Sequence, residues 1–167
     1  QAEIDIIEKL GVKFKTGVEV GKDVTIAELK EQGFNGFYIA IGAQLSRNLG
    51  LENENNIDVV GGIDFLRQVN LGKGLELNGN VVVVGGGNVA MDVARTALRQ
   101  GASKVDLYCL ESREEMPAAK DELAEAEEEG IVIHNGFGPK SINLTDGKFT
   151  SITFKKCLRV KDDEGHF

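Results

Sequence analysis

The chain has 167 residues, 41% of them hydrophobic, and a formal net charge of −8. That length can bury the core of one compact domain or a little more, and the aliphatic content excludes an intrinsically disordered chain. The acidic balance argues against a nucleic-acid partner, whose phosphates would need neutralising, and no apolar run approaches the roughly 20 residues that cross a membrane as a helix.

In chain order, Glu3 to Leu10 has helical spacing, with Ile4, Ile7 and Leu10 on one face. Val12–Thr16 and Val18–Val20 read as short strands, and Thr25 is placed to cap a helix running to Gln32. Gly36 to Ile41 is a β-rich apolar run ending at Gly42. Residues 44–57 are polar, asparagine-rich and linker-like, and Val59-Val60-Gly61-Gly62 leads into a helix from Ile63 to about Val69. Four valines, Val81 to Val84, can bury both faces of a parallel strand over 80–84. A helix is expected over 88–100, with Val89, Val93, Ala97 and Leu98 recurring on one face and Gly101 as the stop. A strand over 104–110 alternates Val105, Leu107 and Cys109. A helix over about 117–129 follows, with Pro117 in its first turn and Gly130 after its end, and then a strand over 131–134. Asp146-Gly147 between apolar segments marks a hairpin within 140–160. The pattern is that of an α/β fold: a Rossmann-like βαβ nucleotide-binding domain with an antiparallel β appendage.

The chemistry lies where the valine strand meets the next helix. Gly85, Gly87 and Ala90 occupy the three small positions of a Gly-x-Gly-x-x-Gly/Ala turn. Gly85 allows the sharp turn, Gly87 lets backbone approach a pyrophosphate, and Ala90 keeps helix and sheet close. The N–H groups that open the helix are then free for phosphate, and the helix dipole favours its charge. Glu111 ends the second strand 26 positions after Gly85, near where an acid would hold the adenosine ribose.

At these residues the chain resembles the pyridine-nucleotide domain of the glutamate synthase small (beta) subunit family. Gly85-Gly-Gly-Asn-Val-Ala-Met-Asp92, Ala94-Arg-Thr-Ala97 and Ser112-Arg-Glu-Glu-Met-Pro-Ala118 carry the likeness. Leu10–Phe14, Gly21-Lys-Asp23, Tyr38–Ala43 and Asp64-Phe-Leu66 extend it backwards over most of the chain. The resemblance implies an NAD(P)H-dependent, FAD-containing oxidoreductase that passes hydride from nicotinamide to flavin for onward electron transfer, usually through iron–sulfur clusters. It makes residues 1–45 a partial flavin-domain segment, with the Ala40–Ala43 turn near the flavin. Residues 46–79 become a linker and lead-in helix, and 80–167 the NAD(P)-binding domain with its hairpin. Gly85, Gly86, Gly87, Asn88 and Val89 would hold the pyrophosphate, with Glu111 on the ribose and Ser112 and Arg113 nearby.

The family's NADP users commonly carry Tyr-Arg-Arg before the serine, whereas Leu110 and Glu111 stand at the two arginine positions here. A carboxylate accepts hydrogen bonds from ribose hydroxyls and repels a phosphate, so the expected preference is NAD(H) over NADP(H), with Arg113 a compensating cation. The chain starts at Gln1 without methionine, stops at Phe167, and holds no second glycine turn for FAD pyrophosphate. It reads as an excised fragment that binds pyridine nucleotide, carries no FAD although its parent would, and is inactive without flavin and iron–sulfur domains or a partner subunit. An unpaired sheet edge in the first segment would promote self-association.

Other chemistries fit less well. No tyrosine has lysine four residues on, Asn88-Val89 replaces the Lys-Ser/Thr of a P-loop, and His134 and His166 lack spaced metal-ligand partners. No acid–base or nucleophile set stands out, so no catalytic or metal-binding residue is assigned. Asp92 and Arg95 suggest an i, i+3 pair, and the acidic run 121–129 a solvated helix face. Cys109 and Cys157, with no signal peptide, fit a reducing cytoplasm. The competing class is a non-catalytic nucleotide-sensing or structural Rossmann module.

Overall fold

Local sequence chemistry is clearest in the first of two units, Gln1–Gly42 and Ala43–Phe167. The structure, a computed structural model, describes residues 2–162 and 164, so Gln1, Asp163, Gly165, His166 and Phe167 lie outside the described residues. In the first unit α1 (Ala2–Lys9) has acids in its first turn and Lys9 in its last, which suits the helix dipole. In α2 (Ile26–Glu31) the Thr25 hydroxyl accepts from the Glu28 N–H, while the Glu28 carboxylate accepts from the Thr25 N–H at 2.7 Å. This capping box bears out the expected role of Thr25.

The strands expected at 12–16, 18–20 and 36–41 do not form; Val20 and Val24 share only an isolated bridge. A helix closes its own hydrogen bonds, whereas a strand needs a neighbour, and these apolar runs have none within the unit. Tyr38 and Ile39 are accordingly 94% and 82% exposed. The sheet edge foreseen in the first segment is therefore absent, and the open edges belong to the second unit.

There, α3 (Gly62–Asn70) precedes β1 (Asn80–Val84), α4 (Asn88–Arg99) and β2 (Lys104–Cys109). Then come α5 (Lys120–Glu128), β3 (Val132–Asn135), β4 (Phe137–Thr145) and β5 (Lys148–Lys156). The first three strands form a parallel sheet in the order β1-β2-β3, with Val84 opposite Tyr108 and Tyr108 opposite His134. β4 and β5 form a separate antiparallel hairpin turned by Asp146 and Gly147, with φ of 53° and 76°. Positive φ at both central residues is what an Asp-Gly turn provides.

One sheet face carries the core. Val105, Leu107 and Cys109 of β2 pack with Val83, with Met91, Ala94 and Ala97 of α4, with Leu123 and Ala126 of α5, and with Phe65 of α3. The buried stripe of α4 differs from the expected one, because Val93 and Leu98 are half-buried and Val89, at the open helix start, is 47% exposed. Nor does β1 bury both faces. Val83 is 5% exposed but Val82 38%, because β1 is an edge strand with helices against one side.

The other face of β2 meets the hairpin. Tyr108 stacks between His134 and Phe154, with ring centroids 4.3 and 4.0 Å away, and meets Phe137 edge-on. Asp106 accepts from Lys104 and pairs with His134 Nε2 at 2.8 Å. Residues 44–57 do more than link: Asn53 donates to the Ile142 carbonyl and Asn56 to the Gly147 carbonyl. Just beyond, the Asp58 carboxylate accepts the Phe149 N–H.

Candidate functional site

The site begins where the strand hydrogen bonds stop. Gly85 still donates to the Tyr108 carbonyl at 2.9 Å, but its φ of 142° turns the chain sharply away from β1. A side chain there would be strained and would also meet the Cβ of Ala90 at 3.4 Å. The first and third small positions of the turn are thus in contact.

Gly87 then caps α4 with extended backbone and no side-chain bond to the helix. Its carbonyl accepts from Ala90 and Met91. The N–H groups of Gly87, Asn88 and Val89 have no acceptor among the described residues. A Cβ added at Gly87 would come no nearer than 4.0 Å to Pro117, so the protein leaves open space there. Unpaired N–H groups at the positive end of a 12-residue helix suit a phosphate anion.

Glu111 is brought against this turn. Its carboxylate oxygen lies 2.7 Å from where a Cβ on Gly86 would stand, with the Cys109 Cβ at 3.1 Å. Only glycine leaves room there without displacing the acid. The Glu111 backbone is also held, its carbonyl accepting from Gly136 N–H and Asn135 Nδ2, both at 3.1 Å. Ser112 and Arg113 are adjacent, and each is already engaged. Ser112 Oγ donates to Glu115 at 2.8 Å, and Arg113 Nη2 pairs with Glu127 of α5 at 2.7 Å. The cysteine beneath is inert core: burial pushes the Cys109 thiol up, and the Glu111 carboxylate adds to the effect.

Residues 116–119 support the turn from below, a role that the sequence reading missed. Ala118 N–H donates to the Gly86 carbonyl at 3.1 Å, and Ala119 N–H to Asn88 Oδ1 at 2.8 Å. Met116 and Ala118 are buried in the core. Pro117 therefore lies in this extended support rather than in the first turn of α5, whose cap is Ala119. The signal was the compact Met-Pro-Ala-Ala run itself: three small or rigid residues beside one large apolar anchor.

Arg95 also departs from expectation. It reaches across to Glu122 and Glu125 of α5 and to its C-cap Glu129, at 3.2, 2.7 and 2.7 Å, rather than to Asp92. The acidic helix is thus only partly a solvated face, since one side of it clamps α4, with Arg99 also on Glu129. The Arg95 hydrogen bond, outweighing desolvation, holds the Glu129 carboxyl below the usual glutamate range.

A cavity of about 250 Å³ opens beyond the carboxyl ends of β2 and β3, lined by Leu110, Ser112, Arg113, Asn135, Cys157 and Arg159 among others. Ligands of open α/β sheets bind at such strand ends. It shares Ser112 and Arg113 with the candidate site but none of the glycine turn. No cluster of three potential metal ligands occurs among the described residues, where His134 instead pairs with Asp106. No helix there is long and apolar enough to cross a membrane.

Comparison with known proteins agrees with this architecture. The chain is 40% identical over 170 residues to the NADP(+)-dependent formate dehydrogenase subunit beta of Moorella thermoacetica, a match covering 98% of the chain but only 24% of that subunit. It is 35% identical over 164 residues to the NAD-dependent dihydropyrimidine dehydrogenase subunit PreT of Escherichia coli O157:H7, covering 98% of the chain and 39% of PreT. The chain therefore spans well under half the length of these relatives. Among solved structures, Mycobacterium tuberculosis FprA in complex with NADPH superposes with a TM-score of 0.69 over 89% of this chain and 48% of its own, at 19% identity, which speaks to fold. The pyridine nucleotide-disulphide oxidoreductase model matches residues 2–164. With a glycine turn, an acid against it and a family match along nearly its whole length, the chain belongs to the pyridine nucleotide-disulphide oxidoreductase family.

Proposed function

We propose that the chain carries the NAD(P)H-binding domain of a flavin-dependent oxidoreductase resembling the glutamate synthase small subunit. The observation that carries this reading is the pairing of an open glycine turn, Gly85 to Val89, with the Glu111 carboxylate set against Gly86. Backbone N–H groups of Gly87, Asn88 and Val89 bind the pyrophosphate, and Glu111 accepts from the adenosine ribose hydroxyls. Ser112 and Arg113 border that ribose. A bound nicotinamide supplies the hydride and FAD accepts it; this chain's residues bind, orient and exclude water.

Glu111 leads us to assign NAD(H) as the preferred nucleotide. The relatives above are named for both nucleotides, so the preference rests on this carboxylate. Residues 1–45 we read as a segment of the flavin domain, 46–79 as the lead-in and 80–167 as the nucleotide domain. FAD, iron–sulfur centres and the final acceptor belong to the longer parent protein or its partners, and the isolated chain is expected to bind nucleotide without turning over.

Calorimetric titration of the chain with NADH and with NADPH at matched salt tests the reading. Saturable NADH binding that Gly87→Ala weakens supports it. No binding of either nucleotide to the chain or to its full-length parent overturns it in favour of a structural module.

A further inference from the structure

We propose that Glu127, on α5 and outside the glycine turn, is a specificity-determining residue that withholds Arg113 from the 2′-phosphate of NADP(H). This rests on the nucleotide site proposed above and adds a residue to its selectivity. Within residues 111–115, Arg113 is the only cation and Ser112 the only hydroxyl. Both are committed to carboxylates in the structure. Ser112 Oγ and N–H point to Glu115 at 2.8 and 3.3 Å, and Arg113 Nη2 points to Glu127 at 2.7 Å. Glu111 meanwhile stands against Gly86. A phosphate on the adenosine ribose would meet one carboxylate, with the Ser112 hydroxyl engaged by Glu115 and the Arg113 guanidinium drawn to Glu127 through Nη2.

Two sides of α5 have different work. Glu122, Glu125 and Glu129 hold Arg95, and Glu129 also holds Arg99, so these acids fasten α4. Glu127 points elsewhere, to the turn that follows β2. The Arg113 and Glu127 side chains are 40% and 48% exposed, so their pair is weak and reversible. It therefore grades selectivity rather than forbidding NADPH, and freeing Arg113 is expected to tighten NADPH binding about three- to fivefold, the scale of one exposed pair.

The test is a calorimetric cycle on the whole chain. Glu127→Gln should lower the NADPH dissociation constant about three- to fivefold and leave that for NADH unchanged. Glu128→Gln removes the same charge from the next position of the same exposed helix surface and should leave the NADPH/NADH ratio as in the wild type. In an Arg113→Ala background, Glu127→Gln should lose its effect, because the two residues act as one unit. An unchanged ratio in Glu127→Gln overturns the proposal. So does an equal effect from Glu128→Gln, or an effect that persists without Arg113, since either would mean bulk charge rather than sequestration. Wild-type protein that binds neither nucleotide marks instead the failure of the underlying site, and this proposal falls with it.

Discussion

Asn88 Oδ1 accepts the Ala119 N–H at 2.8 Å, tying the first residue of α4 to the cap of α5. The side chain that opens α4 also satisfies the start of the next helix. Stability and binding can be separated at this position. Asn88→Ala should cost about 1 kcal/mol of stability, the worth of one such bond. Asn88→Asp keeps the acceptor and should retain stability in urea denaturation. Its charge would face the pyrophosphate, so NADH affinity should fall at least about tenfold. Equal affinity for wild type and Asn88→Asp would remove Asn88 from the phosphate site.

Gly87 offers a steric counterpart. A methyl group there meets nothing in the protein nearer than Pro117 Cγ at 4.0 Å, and the backbone is extended rather than left-handed. Gly87→Ala should therefore keep the melting temperature within a degree or two, about the effect of a neutral surface change. NADH binding should weaken about tenfold or more, because the Cβ stands where backbone and pyrophosphate would approach. A large fall in melting temperature would show that the glycine serves the fold instead.

Glu111 should govern which nucleotide is chosen. Glu111→Arg replaces a repelling group by one able to pair with the 2′-phosphate. The expected outcome is a reversal of preference, with NADPH tightened about tenfold or more and NADH weakened. Competition titrations with 2′-phospho-AMP and AMP would report the same change without the nicotinamide half. No shift in either ratio would place the ribose elsewhere.

The α4–α5 clamp predicts an acid-sensitive fold. Glu129 is held below its ordinary value first by Arg95 and then by Arg99. Its folded-state pKa is thus lower than its unfolded one, so its contribution is present above about pH 4.5 and is lost as pH falls through the folded value. Asp106 acts in the same direction: burial pushes it up, but Lys104 and His134 together outweigh this and leave it low. Glu129→Gln should flatten the fall in melting temperature between neutral pH and about pH 3.5. An unchanged acid slope would mean that the clamp contributes no proton linkage.

Legibility in the sequence followed the range of the interactions involved. The Asp146-Gly147 turn and the Thr25 cap rest on residues within a few positions of each other, and each formed as expected. The alternation of Val105, Leu107 and Cys109 likewise located the buried face of β2. The strands expected before residue 42 failed because a strand is a property of two segments, and no partner segment lies beside them in that unit. Arg95 was misread because two partners at helical spacing say nothing of a second helix bearing three acids. At the candidate site, the glycines and the spacing to Glu111 were visible in the sequence. The support by Ala118 and Ala119 and the hold of Glu127 on Arg113 join residues 14 to 32 positions apart, and composition alone does not reveal them.

The side-chain bonds from Asn53, Asn56 and Asp58 to the β4–β5 hairpin bridge about 90 positions of sequence. Among the described residues no ladder of strand hydrogen bonds joins that hairpin to the parallel sheet, and beyond the Gly136 link from β3 its attachment includes this strap and the rings around Tyr108. Closing loops of such length costs more chain entropy than forming the shorter-range contacts of the βαβ core. Strap and hairpin should therefore open together as one cooperative unit in native-state hydrogen exchange, below the energy needed to open β2. Asn56→Ala should speed amide exchange throughout the hairpin while the protected amides of α4 and β2 keep their rates.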